Sequence, residues 1–152
     1  MRLSEILRPD CVCVPLAAAD KPASIQTLVA LLAKSGQIGD EREVVNAVLS
    51  REQARSTGIG LGLAVPHGRC AQVRTLSLAV GRLASPIEFG SIDGRPCEFI
   101  ALLASPTDQN GPHIQALAAM SRLWMNESFR KDVLSATAPS VVYEAFVRYQ
   151  TD

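Results

Sequence analysis

Two histidines are the side chains of this chain best suited to chemistry at neutral pH. His67 lies in the segment 56–69, which reads STGIGLGLAVPHGR and combines three alternate glycines, a short apolar run and Pro-His-Gly. Pro66 restricts the backbone before the histidine and Gly68 frees it afterwards. The segment therefore predicts a histidine presented at the end of a strand on a constrained turn.

A neutral imidazole can act as a nucleophile and form a covalent intermediate, and a phosphoryl group is a natural cargo for it. Such a site needs donors for the phosphoryl oxygens. Arg51, 16 residues before His67, is one candidate. His113 follows Asn-Gly-Pro at the start of a predicted helix, where an anion is favoured. The hydroxyls of Ser56 and Thr57 are further candidates.

Other motifs for phosphate or acyl chemistry are missing from the sequence. The glycines at 58, 60 and 62 do not complete G-x-G-x-x-G, because Leu63 and Val65 stand where its last glycine is required. Neither G-x-x-x-x-G-K-[ST] nor G-x-S-x-G occurs. A nucleotide-binding loop and a hydrolase serine are therefore not predicted. A structural role for His67 and close strand packing by the glycines remain open at this point.

Composition indicates an ordinary globular chain over residues 1–152. Hydrophobic residues make up 47% and charged residues 20%, which excludes global disorder. Fifteen basic residues balance fifteen acidic ones, so nothing favours nucleic acid as a partner. No apolar run is long enough to span a bilayer, and direct membrane insertion is not expected. A chain of this length buries enough surface for one domain without disulfides or metals.

The four cysteines are expected to be small, reduced packing residues. The C-x-C spacing at the amino terminus is a poor match to zinc-binding pairs, although a metal site that combines His67 with a cysteine is an alternative. Val12–Ala19 is apolar, but Glu5 and Asp10 do not fit the basic start of a signal peptide. We therefore expect a cytoplasmic protein. The cysteines are Cys11, Cys13, Cys70 and Cys97.

Helical and strand-like patterns alternate along the chain, which is typical of an α/β architecture. An amphipathic stripe between 25 and 32 predicts a helix that ends at Gly36. Asp40 is a candidate N-cap of a second helix. Strands are predicted at 75–83 and 98–104, the second covered on both faces. Later helices are predicted from Pro112, which suits a first helical position, and over 127–135 and 140–148.

The segment 56–69 resembles the active-site signature of the fructose/mannitol-type IIA domains of the bacterial phosphotransferase system, a family that includes the stand-alone nitrogen-regulatory IIA proteins. There too, a Ser-Thr-Gly-Ile-Gly stretch leads to Pro-His-Gly and a basic residue. The resemblance extends over about residues 3–150. It includes the segments 49–52, 85–89, 92–96 and 102–106, and the later His113 and Leu117.

The resemblance implies a single α/β domain, with a mixed β-sheet flanked by α-helices, over residues 1–152. It implies that His67 accepts a phosphoryl group at Nε2 from phospho-HPr or its nitrogen-branch equivalent. His113 would assist at the phosphoryl site and Arg51 would hold the phosphate or the partner. No cofactor and no metal are implied. Many relatives carry a polar residue where this chain has Leu61.

Three functions follow as hypotheses. The first is a phosphohistidine carrier in nitrogen or metabolic regulation, acting on a kinase or transporter. The second is a fructose-type subunit that passes the phosphoryl group to a IIB domain for sugar uptake. The third is a binding-only regulatory module with vestigial phosphorylation. Because a phosphocarrier partner must dock closely, we expect an apolar contact face of Ile59, Leu61 and Leu63 around His67.

Overall fold

A computed structural model describes residues 1–150, which form a mixed sheet covered by helices. Within these residues the strands are β1 (Leu7–Leu16), β2 (Gly58–Gly60), β3 (Leu63–Ala64), β4 (His67–Arg69), β5 (Ser77–Ile87) and β6 (Cys97–Ser105). The helices are α1 (Lys21–Lys34), α2 (Glu41–Ala54), α3 (Asn110–Trp124), α4 (Glu127–Leu134) and α5 (Pro139–Tyr149). This is the mixed α/β architecture that the sequence predicted.

The sheet order is β1-β5-β6-β3-β2, and β4 also pairs with β6. β6 is antiparallel to β5 and parallel to both β3 and β4, while β1 runs parallel to β5. Almost every residue of β6 is buried, as expected for a central strand between two partners and two covered faces. The sequence prediction of a central strand at 98–104 is therefore confirmed.

β3 and β4 follow the same edge of β6, with Leu63 opposite Phe99 and His67 opposite Leu103. Between them the ladder is interrupted at Pro66, which has no N–H to donate. The carbonyl of Pro66 still accepts from the N–H of Leu103 at 3.0 Å. The proline therefore breaks the strand just before the histidine without releasing the segment from the sheet.

The two amino-terminal helices form where the sequence predicted them. The apolar stripe of α1 is fully buried, and Gly36 follows its end with φ +82°, in the left-handed region that favours glycine. Asp40 caps α2 by accepting from the N–H of Glu43 at 3.2 Å. The members of the α1 stripe are Ile25, Leu28, Val29 and Leu32.

The start of α3 differs from the prediction. The helix begins at Asn110, so Pro112 occupies its third position and His113 its fourth, rather than the first and second. The reason is that the Gln109 carbonyl accepts from the N–H of His113 at 3.1 Å, which closes the first turn earlier. A proline is tolerated there because the first amides of a helix have no intrahelical acceptor.

The helices cover the sheet and bring α2 and α3 to the β4 region. α1 packs on β1 and β5, α2 on β4, α3 on β6 and α5 on β1. None of the helices described within residues 1–150 is long and apolar enough to cross a bilayer.

Candidate functional site

His67 opens β4 with one ring nitrogen fixed by the backbone. Its Nδ1 lies 2.8 Å from the carbonyl oxygen of Val65. A carbonyl only accepts, so Nδ1 carries the proton and Nε2 keeps its lone pair. Burial lowers the pKa of His67, and the positive charges of Arg51 and Arg69 lower it further. The Val65 hydrogen bond and the negative charge of Glu52 raise the pKa, but the net shift is downward. The ring is thus held neutral, with Nε2 as its nucleophilic nitrogen.

His113 lies beside His67, in the first turns of α3. The two ring centroids are 5.3 Å apart with an interplanar angle of 61°. The His113 side chain is buried, and its Nδ1 is 2.6 Å from the hydroxyl oxygen of Ser105. Burial lowers the pKa of His113 to about 4, with smaller contributions from His67 and Arg69. At neutral pH this second imidazole is therefore also uncharged.

Arg51 in the last turn of α2 brings a guanidinium to the same place. One of its nitrogens donates to the carbonyl of Arg55 at 2.8 Å, which orients the group and leaves its other N–H donors for a ligand. α2 approaches β4 closely because residue 68 is glycine. A Cβ at Gly68 would lie 3.2 Å from the backbone nitrogen of Val48.

Arg51 and His67 line two adjoining open clefts. One, of about 260 Å³, is also lined by Arg55, Ile59 and the side of α3. The other, of about 650 Å³, is also lined by Arg69 and His113 and by the start of α3. A group bound at His67 would therefore have cationic side chains on both sides and open solvent in front.

The two hydroxyls predicted to bind phosphate already donate their protons elsewhere. Thr57 Oγ1 donates to the carboxylate of Glu52 at 2.6 Å, and Ser56 Oγ donates to the carbonyl of Phe89 at 2.6 Å. Glu52 also accepts from the Thr57 N–H and from Lys21 Nζ, each at 3.0 Å. In this arrangement Ser56 and Thr57 fix the loop before β2, and neither hydroxyl proton is free for a ligand.

Glu52 is a site-building residue that the sequence did not indicate. Its carboxylate is almost completely buried, and it joins α1, α2 and the Thr57 loop through Lys21 and Thr57. The ammonium of Lys21 also lies 4.6 Å from the ring centroid of Phe89. In the sequence Glu52 stands between Arg51 and Gln53, a context typical of an exposed helix face, so only the tertiary contacts reveal it.

The predicted docking residues separate into exposed and buried ones. Ile59 and Leu61 are 42% and 37% exposed, so both can contact a partner. Leu63 is a correction: it is fully buried on β3, opposite Phe99, and belongs to the core. The exposed Ile92 and Ile114 are further apolar side chains near the clefts.

Leu61 stands at the tip of the loop between β2 and β3 in an unusual backbone conformation. Its φ is +54°, in the left-handed region that leucine rarely adopts. Its N–H donates to the carboxylate of Asp93 at 3.0 Å, and its carbonyl accepts from Trp124 Nε1 at 3.0 Å. These two backbone contacts hold the tip of the loop in place.

The cysteines do not form a site with the histidines. All four are free thiols, and burial raises the pKa of Cys97 to about 12. Across residues 1–150, no cluster of three or more His, Cys, Asp or Glu side chains is arranged to hold a metal. The alternative of a cysteine–histidine metal centre therefore has no donor set in the described part of the chain.

Known proteins similar to this chain include a stand-alone nitrogen regulatory protein and a longer sugar-transport component. The chain is 30% identical over 144 residues to a nitrogen regulatory protein of Bradyrhizobium diazoefficiens, covering 94% of this chain and 93% of that protein. It is 31% identical over 144 residues to the fructose-specific EIIABC component of Bacillus subtilis, covering 95% of this chain but only 23% of that longer protein.

The crystal structure of the nitrogen regulatory protein IIA-Ntr from Neisseria meningitidis superposes with a TM-score of 0.87 at 26% identity. The match covers 95% of this chain and 98% of that one. The family model described as "Phosphoenolpyruvate-dependent sugar phosphotransferase system, EIIA 2" matches residues 5–149. This chain therefore belongs to the EIIA 2 family of the phosphoenolpyruvate-dependent sugar phosphotransferase system.

Proposed function

We propose that this chain is a phosphoryl carrier in which Nε2 of His67 accepts a phosphoryl group from a phospho-HPr-type donor. The observation that carries the proposal is the hydrogen bond from His67 Nδ1 to the Val65 carbonyl, which leaves the Nε2 lone pair free at neutral pH. The lowered pKa of His67 supports it, because the reactive form is the neutral one.

The transfer step balances without a cofactor. The lone pair of His67 Nε2 forms a bond to phosphorus while the bond between phosphorus and the donor breaks, and that electron pair returns to the donor. The three phosphoryl oxygens carry the developing charge through this step and need fixed positive partners. Transfer onward to an acceptor is the same step in reverse.

Two side chains next to His67 can donate hydrogen bonds to the phosphoryl oxygens. Arg51 offers guanidinium N–H groups beside His67, in a planar arrangement that suits phosphoryl oxygens. His113 offers a neutral imidazole whose ring centroid is 5.3 Å from that of His67. Asn110, the first residue of α3, lines the same cleft, and a helix N-terminus favours an anion.

The face of this chain that a partner would contact is apolar, with basic side chains around it. Ile59, Leu61, Ile92 and Ile114 expose apolar surface around the clefts, and Arg69 adds charge beside His67. An HPr-type donor and a IIB domain or regulatory target would dock on this face in turn. Exclusion of water from the apolar contact would strengthen the electrostatic interactions at the transferring group.

Among the two family roles, we propose the nitrogen-regulatory one. Its support is the TM-score of 0.87 to IIA-Ntr from Neisseria meningitidis and the identity to the nitrogen regulatory protein of Bradyrhizobium diazoefficiens. The protein would act as one domain over residues 1–152 in the cytoplasm, which fits its four free thiols. Delivery to a IIB domain for fructose uptake is the second candidate, supported by the Bacillus subtilis relative.

The experiment that tests the proposal is phosphorylation by phosphoenolpyruvate, enzyme I and HPr, read as intact mass. Wild type is expected to gain one acid-labile phosphoryl group, and His67→Ala none. His113→Ala is the matched control for loss of an imidazole at the site, and it should still be phosphorylated, more slowly. A phosphorylated His67→Ala protein would overturn the assignment. Wild type that gains nothing would favour the binding-only module.

A further inference from the structure

Ser105, the last residue of β6, has a buried hydroxyl directed at the second histidine. The residue is completely inaccessible to solvent, and its Oγ lies 2.6 Å from His113 Nδ1. Within the described residues, this ring nitrogen is the partner of the hydroxyl. The contact therefore decides where the single ring proton of neutral His113 sits.

The direction of the hydrogen bond follows from the cost of an unpaired donor. If Nδ1 of His113 carried the proton and donated to Ser105, the hydroxyl proton of Ser105 would be buried without an acceptor. An unsatisfied buried donor is unfavourable, because the hydrogen bond it made to water in the unfolded chain is not replaced. If the hydroxyl donates to Nδ1 instead, both groups are satisfied and the ring proton is on Nε2. The second arrangement is the one that burial favours.

Ser105 also belongs to the framework that carries His67. Its backbone pairs in register with Arg69 of β4, and its carbonyl accepts from the N–H of Cys70 at 3.0 Å. Its side chain holds His113 on α3. One residue thus connects the strand that presents the first histidine to the ring of the second.

We propose that Ser105 is a positioning residue for phosphoryl transfer, which holds His113 in the Nε2–H tautomer so that this histidine donates to an oxygen of the phosphoryl group on His67. The proposal rests on the proposed function of His67. The two rings then have complementary roles: His67 presents a bare Nε2 because a carbonyl binds its Nδ1, and His113 presents an Nε2–H because a hydroxyl binds its Nδ1.

The tautomer matters because the ring of His113 carries a single proton at neutral pH before His67 is phosphorylated. Its pKa of about 4 keeps the ring neutral, so it has one N–H and one lone pair. In the opposite tautomer, the lone pair of Nε2 would face the phosphoryl oxygens and repel them. A hydroxyl at residue 105 therefore converts a buried neutral imidazole from an acceptor into a donor toward the anion.

The tautomer is measurable without any phosphoryl transfer. Long-range ¹H–¹⁵N spectra of the unphosphorylated, ¹⁵N-histidine-labelled protein report which nitrogen of His113 is protonated. Wild type is expected to show a protonated Nε2, and Ser105→Ala a loss of that preference. Ser77→Ala is the matched control: Ser77 is equally buried, on the neighbouring strand opposite Ala104, but its hydroxyl donates to the Thr75 carbonyl at 2.6 Å.

Transfer kinetics test whether Ser105 acts through His113. Ser105→Ala is expected to slow phosphorylation of His67 by roughly fivefold, the factor for one neutral hydrogen bond, with Ser77→Ala unchanged. In a His113→Ala background the Ser105→Ala substitution should have no further effect. A protonated Nδ1 of His113 in wild type would overturn the proposal, as would an unchanged tautomer in Ser105→Ala. A His67→Ala protein that is still phosphorylated would refute the proposed function, while the tautomer result would stand.

Discussion

The buried His113 makes the stability of this protein depend on pH. The folded state holds the ring neutral with a pKa of about 4, whereas the unfolded chain titrates it near 6.5. As the pH falls below 6.5, the unfolded state binds a proton that the folded state does not. The free energy of unfolding therefore decreases between pH 6.5 and 4, and His113 has no such effect above pH 6.5.

The size of the effect follows from the two pKa values. The full difference of about 2.5 pH units corresponds to about 3 kcal/mol, and about 2 kcal/mol of it is lost by pH 5. The assay is urea unfolding of wild type and His113→Gln at pH 7.5 and pH 5. Wild type is expected to lose about 2 kcal/mol more than the variant over this interval, since the other titrating groups are common to both.

An equal loss of stability in the two proteins would contradict the lowered pKa of His113. It would mean that the folded protein protonates His113 near the usual pKa, and hence that the ring is hydrated rather than buried. The neutral donor role proposed for His113 would then fall as well. A larger loss in the variant would mean that folding raises the pKa of His113 instead of lowering it, because glutamine itself does not titrate.

Three further predictions concern the elements that build the site. Arg51→Ala should slow phosphorylation of His67 by roughly 100-fold in the mass assay, with Arg42→Ala on the same helix as an unaffected control; equal rates would remove Arg51 from the site. Glu52→Gln should lower the free energy of unfolding by about 2–3 kcal/mol in urea, because it breaks a largely buried network. Leu61→Gly should raise the free energy of unfolding by about 0.5–1 kcal/mol, because glycine adopts the left-handed backbone conformation of residue 61 without strain. A decrease in the free energy of unfolding would show that Leu61 is not strained there.

The features that sequence patterns predicted are local ones. The α1 stripe and the Asp40 cap depend on residues within a turn or two of one another, and both are confirmed. The Pro-His-Gly turn likewise contains its own backbone restrictions, and the structure places His67 at the start of a strand. The first residue of α3 is predicted less accurately, because the start of the helix depends on which carbonyl accepts a hydrogen bond from the N–H of His113.

The features that sequence patterns missed depend on contacts distant along the chain. Glu52 gains its role from Lys21, 31 residues earlier, and Thr57 loses its free hydroxyl to the same carboxylate. Leu63 is buried because β3 is enclosed by β2 and β6, a pairing that no local pattern specifies. Ser105 lies in the segment 102–106 of the family resemblance, but no sequence pattern indicated a role for its hydroxyl, which becomes evident only from its contact with His113.

The coupling between phosphorus and nitrogen in the phosphorylated protein shows directly whether Nε2 of His67 carries the phosphoryl group. The ¹⁵N-histidine-labelled protein would be phosphorylated enzymatically and its ³¹P and ¹⁵N spectra recorded at alkaline pH. We expect a coupling between the phosphorus and one imidazole nitrogen, Nε2 of His67, with His113 unmodified. A coupling to Nδ1 of His67, to His113, or to no histidine nitrogen would contradict it.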